Sequence, residues 1–162
     1  MPTIGAVCYI RQNGRVLLQL KAEGRFGGGW WNAPGGKVEA GETPEEGAIR
    51  ETKEETSLDV SHLCNHGTIT FHFGDTVKPD YLVHVFSATK FVGEPQDSEE
   101  GRLEWFAEAA LPYDQMWPDD HIWLPDLLAG RTFRGTFYLT ADYKSIVSYE
   151  YDLLPEAATQ AD

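Results

Sequence analysis

The sequence predicts an α+β fold, a mixed β-sheet with few helices, on two observations. Most apolar segments are short, partly β-branched or alternating runs of strand length, and helix-start signals appear at only two places. In chain order, TIGAVCYI (3–10) and RVLLQL (15–20) are separated by QNG and read as a hairpin. KAEGRFGGGWWNAPGG follows, with six glycines and a proline around two tryptophans; it reads as a loop that approaches something closely, Trp31 leading into a short strand. Thr43, Pro44 and Glu46 form an N-cap, a first-turn proline and a capping box, which opens a helix expected over about 44–56. GTITFHF (67–73) and YLVHVFSAT (81–89) alternate as strands about a turn near 74–80, and RLEWFA (102–107) is a further strand. Pro118 with two aspartates opens a second helix expected over 118–129, and RTFRGTFYL with KSIVSYEYD supply the last two strands.

A chain of 162 residues fits one domain, assigned here to 1–155, and the tail 156–162 reads as loosely ordered. The formal charge of −13 argues against a nucleic-acid polymer or an anionic membrane surface as the main partner. Cys8 and Cys64 lack CxxC spacing and a surrounding histidine pattern, so they are expected to be reduced thiols of an intracellular, cytoplasmic protein. No apolar run approaches the ~20 residues that span a bilayer.

The informative stretch is GGKVEAGETPEEGAIRETKEETSL. Seven glutamates fall between residues 39 and 55, with only Lys37, Arg50 and Lys53 nearby. On a helix Glu51, Glu54 and Glu55 stand at i, i+3 and i+4 and share one patch, while Ala48, Ile49 and Thr52 face the sheet. Arg50, with Glu46 four residues before it and Glu54 four after, reads as an organiser of the cluster. Such crowding destabilises a helix unless a cation relieves it, and hard carboxylate oxygens suit Mg2+ or Mn2+. Spacing alone leaves two readings open, a cation site and a solvated acidic face.

Gly36, five residues, Glu42, seven residues, Arg50-Glu51, two residues, Glu54-Glu55 and then Ser57-Leu58 together resemble the signature box of the Nudix hydrolases. Two positions depart from that pattern: Thr52 replaces an aliphatic residue, which should weaken helix packing, and Ser57 replaces a glycine suited to a left-handed turn. GRFGGGWWNAPGGKVEAGE, YLVHVF, the stretch from Glu100 to Trp105, MWPDDHIWLP and FRGTF further resemble the branch of the family that hydrolyses oxidised purine nucleoside triphosphates. The resemblance implies an αβα sandwich around a mixed sheet, Mg2+ dependence, and hydrolysis of substrates such as 8-oxo-dGTP and 2-oxo-dATP to the monophosphate and pyrophosphate. A monomer is expected.

By the same resemblance, Glu51, Glu54, Glu55 and Glu100 with the Gly36 carbonyl are metal ligands, one glutamate acting as base. Lys37 then meets a phosphate oxygen and Arg50 holds Glu51. Glu100 alone reads as a surface acid in DSEEG. A flat purine needs an apolar slot with a few polar readers. Trp117 suits a stacking plate, Asn32, Asp119 and Asp120 the base edge, and Phe26, Phe71 and Phe73 the walls. Helix-terminus acids, a core tryptophan and sheet-packing phenylalanines are the plainer readings of the same residues. Two other functions stay open: a Nudix hydrolase of a dinucleoside polyphosphate or nucleotide sugar, and a catalytically silent Nudix-fold binding module.

Overall fold

Asn13 and Gly14 both adopt positive φ, 53° and 73°, the primed turn whose twist matches its flanking strands. The turn joins β1 (Thr3–Gln12) to β2 (Arg15–Lys21) in antiparallel register, Ile10 opposite Leu17. The computed structural model describes residues 1–155; the tail expected to be loose, 156–162, lies outside the described residues.

Alternation along this hairpin sorts the interior into two layers. Ala6, Cys8, Ile10 and Leu17 pack with Ala48, Leu58, Val60 and Phe86 on one face of the sheet. Tyr9, Val16 and Leu18 pack with Ile69, Trp123, Leu127, Phe133 and Phe137 on the other. The nine-stranded sheet runs β11-β10-β6-β7-β1-β2-β3, from β3 (Trp31–Asn32), β6 (Cys64–Phe73), β7 (Tyr81–Ala88), β10 (Phe133–Leu139) and β11 (Ile146–Leu153), with β4 (Gly35–Lys37) on β1 and β9 (Gly101–Ala107) on β2. It is mixed, since β1 pairs β7 and β6 pairs β10 in parallel. Two pieces too short to leave a sequence signal, β5 (Asp59–Ser61) and β8 (Lys90–Val92), form a separate small sheet.

α1 (Pro44–Thr56) covers the first face and has the predicted start: Glu46 N–H donates to Thr43 Oγ1 at 3.1 Å, and Thr43 N–H donates to Glu46 Oε1 at 2.9 Å. Ser57 does adopt the left-handed turn that its side chain put in doubt, with φ 68°, its N–H donating to the Lys53 carbonyl. Thr52 is fully buried against the Cys8 thiol, and its hydroxyl oxygen has no hydrogen-bond partner of good geometry. α2 (Asp120–Leu128) covers the second face but begins two residues later than expected and ends one earlier. Asp119 stands at its start with helical backbone angles, and its side chain makes no cap hydrogen bond.

Candidate active site

α1 sets its acidic residues at graded depth. Glu55 is 4% exposed, the Glu51 side chain 17% and the Glu54 side chain 58%. All three line a cavity of about 230 Å3 together with Glu99, Glu100, Ser98 and Arg25. Burial pushes the Glu55 carboxyl up to about 8; nearby Lys21 opposes the shift, and the hydrogen-bonded Glu51 carboxylate adds to it. A turn places Glu100, whose N–H donates to Ser98 Oγ, while its carbonyl accepts from Ala22 N–H at 2.8 Å.

Arg50 gathers this patch, with one partner different from the expected one. Glu46 is consumed by the capping box, and Glu42, eight residues back, takes its place. Arg50 Nε donates to Glu42 at 2.6 Å, and Nη1 donates to Glu51 at 2.9 Å and to Glu54 at 3.3 Å. Nη2 donates to the Lys37 carbonyl at 3.0 Å. Glu42 is held below the ordinary carboxylate range chiefly by the hydrogen bond from Arg50, and Arg50 is pushed up first by Glu42.

The carboxylate oxygens gathered here suit a hard divalent cation. Gly36 leaves room for the Glu51 carboxylate, since a Cβ there would stand 2.6 Å from its carboxyl carbon. Among the described residues the carboxylates do not form a ready-made cage. Arg50 engages Glu51 and Glu54, while Lys21 and Arg25 pair with Glu100 at 3.1 Å and 2.7 Å.

A second cavity, of about 500 Å3, adjoins the first where Gly36 backs onto Glu51 and Lys21 reaches Glu100. Phe26, Phe71, Phe73 and Trp117 line it, as do Asn32, Asp119, Asp120 and Lys37. Trp117 is fixed by rings on several sides: Phe26 at 5.3 Å, Phe71 at 5.9 Å and Tyr143 stacked at 5.0 Å. Gly27, at φ 78°, lets the loop pass close to the indole. At the polar end, Asn32 Oδ1 accepts from Tyr9 Oη–H and Ala33 N–H, which leaves its amide nitrogen as the donor for a ligand.

Asp119 Oδ2 accepts from Trp123 Nε1–H at 2.7 Å, whereas Asp119 Oδ1 and Asp120 Oδ2 are buried with no partner. Burial raises Asp119 to about 6; Asp120 is raised well above its ordinary value by burial and then by the charge of Asp119. Both shifts favour the protonated carboxyl, and where one of two neighbouring carboxyls keeps its proton the pair can donate and accept.

The structure therefore brings every expected site residue to one of two adjoining cavities, except Arg50, which stands behind the acidic one. Sequence reasoning missed Tyr9 and Tyr81, which line the larger cavity, and Tyr143, which stacks on Trp117; it placed Glu42 in the signature box but not against Arg50. Tyr9 carried a weak signal as a polar-tipped ring in an apolar strand; Tyr81 and Tyr143 carried none.

A profile of the NUDIX domain matches residues 1–127. The chain is 47% identical over 127 residues to an oxidized purine nucleoside triphosphate hydrolase of Danio rerio, covering 78% of this chain and 80% of that one. It is 45% identical over 141 residues to the Mus musculus protein of the same name, covering 86% and 88%. A crystal structure of a MutT protein from Bacillus halodurans superimposes with a TM-score of 0.82 at 33% identity, covering 93% of this chain and 97% of that one. With the signature box folded as helix α1, its arginine gathering the glutamates beside a ring-lined cavity, this chain belongs to the NUDIX domain family and is a Nudix hydrolase.

Proposed function

We propose that the chain hydrolyses purine nucleoside triphosphates carrying oxidised bases, such as 8-oxo-dGTP and 2-oxo-dATP, to the monophosphate and pyrophosphate. The nucleotide pool is thereby cleared of damaged precursors. One observation carries the reading: two adjacent buried carboxyls with unpartnered oxygens end an aromatic cavity that adjoins an acidic one. The names of the Danio rerio and Mus musculus relatives support it.

The base enters the larger cavity against Trp117, with Phe26, Phe71 and Phe73 as walls. Its edge meets Asn32, Asp119 and Asp120, whose retained proton suits purines with different donor and acceptor patterns. The triphosphate runs past Lys37, whose ammonium meets a phosphate oxygen as a point charge. Glu51, Glu54, Glu55, Glu100 and the Gly36 carbonyl would hold Mg2+ or Mn2+. When bound, such a cation neutralises phosphate oxygens and lowers the pKa of water. Arg50 keeps Glu51 aimed at the cavity, and a glutamate of the cluster takes the proton of the attacking water.

The test is a panel of 8-oxo-dGTP, 2-oxo-dATP, dGTP, a dinucleoside polyphosphate and a nucleotide sugar, assayed for pyrophosphate and orthophosphate. Pyrophosphate release with the highest kcat/KM on the oxidised purines is expected. Preference for the sugar nucleotide, or orthophosphate as the direct product, would overturn the reading.

A further inference from the structure

Glu100 has both oxygens occupied. Oε1 accepts from Lys21 Nζ–H at 3.1 Å and Oε2 from Arg25 Nη1–H at 2.7 Å. A cation ligated by Glu100 competes with these two donors for the carboxylate charge and lone pairs. Arg25 is the one with somewhere to go. It is the only cationic side chain lining the acidic cavity among the described residues, facing Glu51, Glu54 and Glu55 as well as Glu100. Its side chain is 41% exposed and that of Glu100 is 32%, and an ion pair this open to solvent contributes little to the fold.

The backbone beneath Arg25 is firmly placed. Arg25 N–H donates to the Ala22 carbonyl, Gly28 N–H donates to the Arg25 carbonyl at 2.7 Å, and Ala22 N–H donates to the Glu100 carbonyl. The next residue, Phe26, lines the aromatic cavity and stacks on Tyr81 at 5.3 Å. Residues 25 and 26 thus address the two cavities from one fixed loop, and a polyphosphate crossing from one to the other passes the guanidinium. Its planar fork of donors matches phosphate oxygens in pairs.

We propose that Arg25 is a polyphosphate-binding side chain, held on Glu100 until that carboxylate is taken up by a divalent cation and then turned to a phosphate oxygen. The assignment rests on the triphosphate reading above. It makes Arg25 a competitor of the cation at Glu100 and a helper of the nucleotide, two effects of opposite sign.

Calorimetric titration of wild type, Arg25→Gln and Arg25→Lys separates them. With Mn2+ alone, Arg25→Gln is expected to bind about 2- to 5-fold tighter, the range that an exposed ion pair spans. With the non-hydrolysable α,β-methylene analogue of dGTP in saturating Mg2+, Arg25→Gln is expected to bind about 10-fold weaker, with dGMP affinity unchanged. Arg25→Lys should recover part of the analogue affinity. A variant that loses Mn2+ and analogue affinity together has a disturbed loop, and one unchanged in both has an idle arginine; either overturns the assignment. A wild-type chain that does not bind the analogue overturns the triphosphate reading and this assignment with it. Wild-type binding with an unaffected variant overturns this assignment alone.

Discussion

Asn in place of Asp119 is expected to stabilise the protein at alkaline pH while impairing it on oxidised purines. Asp119 is 0% exposed, with one oxygen on Trp123 Nε1 and the other unpartnered, and burial raises it from 3.8 to about 6. The folded chain therefore holds this proton more tightly than the unfolded chain. Between these two values the folded state binds more protons, so this group's contribution to stability falls as pH rises and levels off above the folded value. A shift of about two units at roughly 1.4 kcal/mol each gives a cost near 3 kcal/mol at pH 8 that has mostly gone by pH 4. Asn carries no charge, can still accept from Trp123, and offers Asp120 a donor. Urea unfolding at pH 4 and pH 8 in EDTA should show Asp119→Asn more stable than wild type by about 1–3 kcal/mol at pH 8, with the gain mostly gone at pH 4. The same variant should lose at least about 10-fold in kcat/KM on 8-oxo-dGTP relative to its loss on dGTP. An equal stability difference at both pH values would refute the buried-carboxyl argument, and unchanged base preference would return Asp119 to a purely structural part.

Glu54→Gln should reduce turnover by ~100-fold or more in saturating Mg2+ with the thermal midpoint in EDTA retained, read by pyrophosphate release and calorimetry. Thr52→Val removes a buried hydroxyl that lacks a well-made hydrogen bond and should stabilise by about 1 kcal/mol, a rise in thermal midpoint of roughly 2–4 °C. Ser57→Gly relieves a left-handed residue at φ 68° and should add about 1 kcal/mol by the same measurement, without altering KM. Trp117→Ala should weaken all purine nucleotides alike by about 1–3 kcal/mol in equilibrium titrations.

The sequence announced α1 and the first hairpin because their signals are local: Thr43, Pro44 and Glu46 specify a start, and Asn13-Gly14 specifies a turn. The acidic patch was legible for the same reason, as one helix places its members. What was misread depends on distance. Glu42 lies outside helical spacing from Arg50, and only the path of the chain between β4 and α1 brings them to 2.6 Å. Asp119 after a proline suits a helix terminus whether it faces solvent or a cavity, and burial alone separates the two. Tyr81 and Tyr143 sit on Phe26 and Trp117 because β7 and the turn between β10 and β11 converge there, which no periodicity encodes.

The parallel pairing of β1 with β7 has a bearing on biosynthesis. β1, an inner strand of the sheet, precedes its parallel partner Tyr81–Ala88 by some 70 residues in the chain. At roughly 5–20 residues per second that is an interval of about 4–15 s. During it the β1–β2 hairpin closes locally, and the opposite edge of Thr3–Gln12 stands open with Val7, Cys8, Tyr9 and Ile10 beside unpaired backbone groups. A nascent chain stalled or truncated before Tyr81 thus displays its future interior as an adhesive edge. Slower initiation, cooler growth or a holdase that covers the first hairpin all act on this interval, and none of them touches the finished enzyme.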